Sequence, residues 1–496
     1  MNERTLLRFY SMTKPIVSVC AMVAYERGLF QLDEPISIHL PGFAKPRVVL
    51  PGGGSEPAAR EITFRDLLTH TAGLAYGDSE HAVDEAYREV GCGWDAPYKL
   101  TLEEFVDRIG ALPLAYQPGS SWRYSYATDV LGRLLEVVTG LPLDELLAQE
   151  IFGPLGMVDS GFHVPQDKLG RFAALYEVDE EETEAAAAAS EDRRRFERHH
   201  TNAAAAAAAA TATTTATTTA TAIAMASAET SASSLPSLPI PSSSSSGNLP
   251  RRASASTPQR AAPQGRDKAD RMLGSPRRPS SRPLSPPGTP LRPIRLPPSA
   301  LGDVSSDTTA ASASVSSPAS PPERPPTMAR RFRPLTDEGV TGQFTRRPEF
   351  VSAGGGLVSS AADFARFCQM LLNRGELDGV RLLSRKTVEF MTSNHLPLDA
   401  AGRRVDIDTI ATDSGFSETA FDGIGFGLGW SVMTDPVKAQ IVGSAGEYGW
   451  GGWASTFFSI DPKEELALLS LAQIVPSDRY PIRRQLRCLV YQTLVS

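Results

Sequence analysis

The sequence predicts an α+β fold in which an antiparallel sheet is flanked by helices and carries an all-helical lobe. Three observations predict it. An apolar helix opens the chain, amphipathic helical patterns fill its first third, and short strand patterns joined by tight turns occupy its end. Between them lies a long low-complexity stretch.

Residues Lys14 to Gly28 read as a helix with Pro15 in its first turn and Gly28 just past its end. Its apolar residues run nearly all round, which places it in the middle of a domain. Glu61 to Leu74 reads as a short helix stopped at the polar turn His70-Thr71-Ala72-Gly73. Asp129 to Thr139 is an amphipathic helix ended by Gly140, and Leu143 to Phe152 is another. Ser360 to Arg374 continues helical, with Phe364, Phe367, Met370 and Leu371 at helical spacing. From Gly425 onward the pattern changes to short strands at Leu428 to Met433, Ile441 to Val442, Thr456 to Ile460 and Leu466 to Ala472, with Asp461-Pro462-Lys463-Glu464 as a turn. Ile482 to Val495 closes the chain as an amphipathic helix. Consecutive short strands pair antiparallel, so the end of the chain supplies the sheet and the cleft beside it is the default site.

Length alone would allow two or three domains among 496 residues, but composition reduces that number. Residues 179–337 run through Ala-Thr tracts, Ser-Pro stretches and scattered arginines such as Arg251, Arg277 and Arg282. Aliphatic residues are too sparse there to offset the entropy of ordering the backbone, so the segment reads as a disordered insertion. It divides one folded domain into residues 1–178 and 338–496. The uncharged run from Thr201 to Ala228 is long enough to span a bilayer, but alanine and threonine drive insertion weakly and no membrane span is expected. The arginines lack interleaved aromatics, so they read as a solvated linker and no nucleic-acid partner is expected. A net charge of −8 says little about partners. Cys20, Cys92, Cys368 and Cys488 fit no metal pattern and read as free, buried thiols. No signal peptide precedes the first apolar run.

The chemistry concentrates in Ser11-Met12-Thr13-Lys14. A serine hydroxyl needs a base to become a nucleophile, and a lysine three residues on along a helix can reach it. The alternative is that Ser11 merely caps the helix. Two further stretches follow in chain order: Trp122-Arg123-Tyr124-Ser125-Tyr126, then Gly446-Glu447-Tyr448-Gly449-Trp450-Gly451-Gly452-Trp453.

Taken with His70-Thr71-Ala72-Gly73-Leu74 and Gly354-Gly355-Gly356-Leu357, these motifs make the chain similar to the serine beta-lactamase-related family. The resemblance is to its class C-like branch of carboxylesterases and acyltransferases, with a penicillin-binding-protein-like fold. It implies that Ser11 is acylated, that Lys14 stands beside it, and that Tyr124 shares the proton with that lysine. It also implies that Trp450, Gly451, Gly452 and Trp453 form the substrate strand, with the amides of Ser11 and Trp453 as oxyanion donors. His70 reads as structural. Tyr126 stands where lactamases of this branch have asparagine, and Trp450 and Gly451 replace the lysine and threonine that bind the antibiotic's carboxylate. These departures leave an aromatic slot suited to an ester acyl group.

The resemblance further implies a segment with additional strands ahead of the Ser-x-x-Lys helix, which Met1 to Tyr10 is too short to supply. The expected function is a serine hydrolase that works through an acyl-enzyme on small ester-type substrates, without metal or organic cofactor. A non-catalytic scaffold of the same family and an acyltransferase are the alternatives.

Overall fold

The computed structural model describes residues 1–94, 99–178, 332–335, 342–407, 411–413, 421–477 and 480–495. The insertion assigned to residues 179–337 lies outside them except for 332–335. Residues 1–204 and 328–496 belong to one unit, so the two sequence-distant pieces build a single body.

Its central sheet has five antiparallel strands in the order Ile424–Phe426, Ser431–Met433, Tyr448–Gly451, Thr456–Asp461, Leu466–Leu471. Side chains alternate across the sheet, so Phe458 faces one helix layer while Phe457, Asp461 and Glu447 face the other. On the first face Phe458 meets Phe364 of helix Ala361–Leu372 at 5.2 Å. On the second lies the C-terminal helix Ile482–Tyr491, tied down where Arg487 meets Glu447 at 2.7 Å and Tyr491 Oη donates to Asp461 at 2.7 Å. Leu6–Arg8 does form a strand, but it pairs with Val358–Ser360 and not with the central sheet.

The helix predicted from Lys14 runs from Thr13 to Glu26 and buries every residue from Thr13 to Ala24. Helices Phe64–Leu68, Ala82–Glu89, Leu102–Gly110, Ala127–Thr139 and Leu143–Leu147 build the adjoining lobe. Local chemistry sets their ends. Thr63 and Asp66 form a capping box at the first, and Gly140, at φ +73°, closes the Ala127–Thr139 helix. The segment Leu143 to Phe152 is one continuous coil whose second half, Ala148–Phe152, winds as a π-helix.

Three sequence expectations fail locally. Ile441 to Val442 is not a strand: Asp435 accepts from the Val437 and Lys438 amides and starts the short helix Pro436–Ala439, after which Gln440 turns left-handed. Leu428 belongs to a hairpin turn, with Gly427 N–H donating to Trp430 O, so the strand begins at Ser431. Its partner Ile424–Phe426 escaped the pattern because Gly423, Gly425 and Gly427 interrupt the apolar alternation. Cys20, Cys92 and Cys368 are buried as expected, but Cys488 is exposed on the C-terminal helix.

Candidate active site

Ser11 lies in the 3-10 turn Tyr10–Met12, one step before the buried helix, and makes no cap to it. Tyr10 holds φ +44°, a strained conformation for a residue with a side chain, immediately ahead of the serine. Lys14 is 2 % exposed, and its Nζ donates to Ser11 Oγ at 3.3 Å and to Gly354 O at 2.7 Å. The same ammonium sits 4.4 Å from the centre of the Tyr124 ring. Tyr124 follows the short strand Trp122–Arg123 and precedes helix Ala127–Thr139.

Trp450 closes the arrangement. It lies in the strand Tyr448–Gly451 with its ring 5.3 Å from that of Tyr124, and its Nε1–H donates to Tyr124 Oη at 3.1 Å. Gly451 ends the strand, while Gly452 and Trp453 lie in the tight turn beyond it. In that turn Gly452 N–H donates to Thr456 O at 2.8 Å. A Cβ on Gly451 would lie 2.6 Å from the Arg483 guanidinium, the far end of a flexible side chain that would have to move aside. Ser11, Tyr124, Trp450, Gly451, Gly452 and Trp453 all line one cleft. Lys14 stands behind Ser11.

Two groups in this site were not picked out from the sequence. Asp129 is 1 % exposed and accepts from Gly354 N–H at 3.1 Å and Ser352 Oγ at 2.9 Å. Burial pushes its carboxyl above the usual range, against the pull of the Lys14 cation and of those hydrogen bonds. Gly354 is wedged between the two: a Cβ there would lie 2.5 Å from Asp129 Oδ2 and 3.4 Å from Lys14 Nζ. Tyr76 stacks edge-on against Tyr124 at 5.4 Å, and burial raises its phenol well above the ordinary range. The sequence signal for Asp129 was faint, an acid in the first turn of a helix that begins just after Tyr124.

His70 packs 4.9 Å from Tyr124 and 5.6 Å from Phe426. Its carbonyl accepts from Arg123 N–H at 3.0 Å and from Tyr116 Oη at 3.3 Å. It therefore braces the strand that delivers Tyr124. Burial, then Lys14, holds its imidazole well below the ordinary value, so it is neutral near pH 7. Among the described residues no group of three His, Cys, Asp or Glu is placed to hold a metal ion, and no helix is long and apolar enough to cross a membrane.

A serine on a strained turn, a buried lysine and a tyrosine thus meet at the end of the third of five antiparallel strands. Residues 1–283 and 290–491 match the beta-lactamase family model, and the chain belongs to that family. Protein Rv1367c of Mycobacterium tuberculosis is 26% identical over 484 residues, covering 96% of this chain and 79% of its own length. Esterase EstB of Burkholderia gladioli is 40% identical over 177 residues, 36% of this chain and 43% of the esterase. Lovastatin esterase of Penicillium rubens is 35% identical over 167 residues, 32% of this chain and 40% of its own. The fold is shared with EstCE1, a hydrolase with promiscuous acyltransferase activity, at 22% identity and TM-score 0.55 over 99% of this chain and 86% of that one. Simvastatin synthase from Aspergillus terreus gives TM-score 0.57 at 18% identity over 100% and 86% of the two chains. The relatives of this chain thus include esterases and acyltransferases.

Proposed function

We propose that this protein is a serine hydrolase that cleaves small-molecule esters through an acyl-enzyme on Ser11. The observation that carries the reading is the continuous contact from Ser11 Oγ to Lys14 Nζ, over the Tyr124 ring, to the Trp450 N–H. Ser11 Oγ attacks the ester carbonyl carbon and its proton passes to the Lys14–Tyr124 pair, which enters the step one proton short of ammonium plus phenol and so has a place for it. The oxyanion is received by the amides of Ser11 and Trp453. As the tetrahedral intermediate collapses, the C–O bond to the alcohol breaks and the pair returns the proton to the leaving oxygen. Water then attacks the acyl-serine, gives a proton to the same pair, and Ser11 leaves with it. The Trp450 N–H donates to Tyr124 Oη with or without its proton, so the oxygen keeps a partner as the proton moves.

Acyl transfer differs only in the second step, with an alcohol in the place of water. Names among the relatives favour testing it: an acyltransferase of Monascus pilosus is 35% identical over 182 residues, 35% of this chain and 42% of its own.

The test is hydrolysis of p-nitrophenyl acetate by the purified chain, with and without added alcohols. Ser11→Ala is expected to lose roughly 10³-fold or more in kcat. A wild-type rate in Ser11→Ala would contradict the role of Ser11, and no turnover above background in either protein would leave the scaffold reading in its place. New esters formed in the presence of alcohols would mark a transferase.

A further inference from the structure

We propose that the end of the cleft remote from Ser11, lined by Phe421, Ile424, Met433 and Ile441, is the subsite for an aliphatic acyl chain, with Ile441 and Met433 setting the length it accepts. The inference rests on the acyl-enzyme reading and adds the substrate class: esters of aliphatic acids several methylenes longer than acetate.

The four residues line the same cleft as Ser11 and Trp450. Each retains only 4–8 % exposure. Ile424 and Met433 are directly paired across two strands, so both point to one face. The wall between this end and the nucleophile is continuous, because Trp122 lies 5.9 Å from Phe421 and stacks on Tyr124 at 6.2 Å. Arg483, Arg484 and Arg487 of the C-terminal helix line the cleft as well, held at Gly452 O at 3.5 Å, Gln440 O at 2.9 Å and Glu447 at 2.7 Å, and the remaining polar groups along the wall are likewise engaged. Ser431 Oγ donates to Gly449 O at 2.8 Å, and Glu447 is held by Arg487 at 2.7 Å and Tyr491 at 3.2 Å. Such a surface gains from a hydrocarbon and penalises an unpaired charge.

The opposite end has another character. Trp94 is 42 % exposed and its ring stands 6.5 Å from that of Trp453, beside Ser11. In an acyl-enzyme cycle the alcohol must leave and water must enter, while the acyl group stays bonded to the serine through both steps. The exposed, indole-flanked end suits the traffic, and the end lined by buried apolar side chains suits the group that remains.

Burying a methylene favours binding by about fourfold, so kcat/KM on p-nitrophenyl esters rises from acetate toward octanoate until the slot is full. Ile441→Trp fills the slot and lowers the octanoate-to-acetate ratio of kcat/KM at least about tenfold. Met433→Ala lengthens it and moves the preferred chain upward. Val442→Trp adds the same bulk one residue away, on a side chain 51 % exposed, and leaves the ratio unchanged.

A parallel series of alkyl acetates, with the chain on the alcohol, shows no response to Ile441→Trp. In Ser11→Ala protein, intact octyl-chain acyl esters bind more tightly than acetates, and Ile441→Trp removes the difference. A ratio unmoved by both slot variants, a ratio moved equally by Val442→Trp, or a response confined to the alcohol series would overturn the subsite. Failure of the acyl-enzyme reading shows separately, as absence of Ser11-dependent turnover of acetate, while the binding comparison still decides on the slot.

Discussion

The helix that presents the nucleophile and the helix that closes the cleft opposite it are built to opposite rules. Thr13–Glu26 buries its residues from Thr13 through Ala24, while Ile482–Tyr491 buries none. The first is held by packing on all sides; the second is held at polar points, the Arg487–Glu447 pair and the Tyr491 hydrogen bonds. Reacting atoms tolerate little displacement, so they are carried by the most constrained element. The C-terminal helix carries none of the proposed reacting atoms, and it is fastened by a few polar contacts.

Substitutions can break that contrast in order of expected effect. On the nucleophile side, Gly354→Ala forces a methyl against Asp129 and the Lys14 amine. A displacement of Lys14 by about an ångström would lower kcat on the order of a hundredfold, with circular dichroism still reporting a folded chain. Wild-type activity in this variant would show that Gly354 does not fix Lys14. The two helices also separate in stability. Ile16→Ala, at a position 0 % exposed, is expected to cost about 2–5 kcal/mol in urea denaturation, whereas Leu489→Ala, 58 % exposed, changes it by less than about 0.5 kcal/mol. Equal costs would erase the distinction.

The polar fastening has a pH signature. Burial raises the Glu447 carboxyl and Arg487 opposes that rise. Without the arginine, the folded protein favours the protonated acid, whose stabilising contribution is present below the unfolded pKa and lost as pH rises through the folded one. Arg487→Ala should therefore be destabilised by about 1–3 kcal/mol near pH 8 and by less near pH 5. A deficit independent of pH would mean that the pair does not hold the helix.

The smallest effect expected is at His395. There Nδ1 accepts from Arg65 at 2.8 Å, Nε2–H donates to Phe390 O at 2.7 Å, and burial lowers the imidazole to about 4. The unfolded chain protonates first as pH falls, so stability present above pH 6.5 is lost on the way to about 4. The urea midpoint of His395→Gln should fall less steeply than wild type from neutrality to pH 5, and parallel curves would contradict this.

What could be read from the sequence was what neighbouring residues decide. Pro15 and Gly28 marked the nucleophile helix, Gly140 marked the end of another, and the Ser-x-x-Lys spacing placed an amine against a hydroxyl. The aromatic replacement at Trp450 was also visible, although its hydrogen bond to Tyr124, 326 residues away in sequence, was not. Long-range partners were hidden for the same reason. Lys14 donates to a carbonyl 340 residues along the chain, and no local pattern marks Gly354 as that acceptor. Glycines concealed the strand Ile424–Phe426, and a proline-led turn capped by Asp435 overrode the β-branched pair Ile441-Val442.

The account stands most directly on covalent capture of Ser11. Acid-quenched protein taken during turnover of p-nitrophenyl acetate should carry one acetyl group on the peptide containing Ser11, and Ser11→Ala protein should carry none. Steady hydrolysis with no adduct at Ser11, or an adduct on another residue, would contradict it.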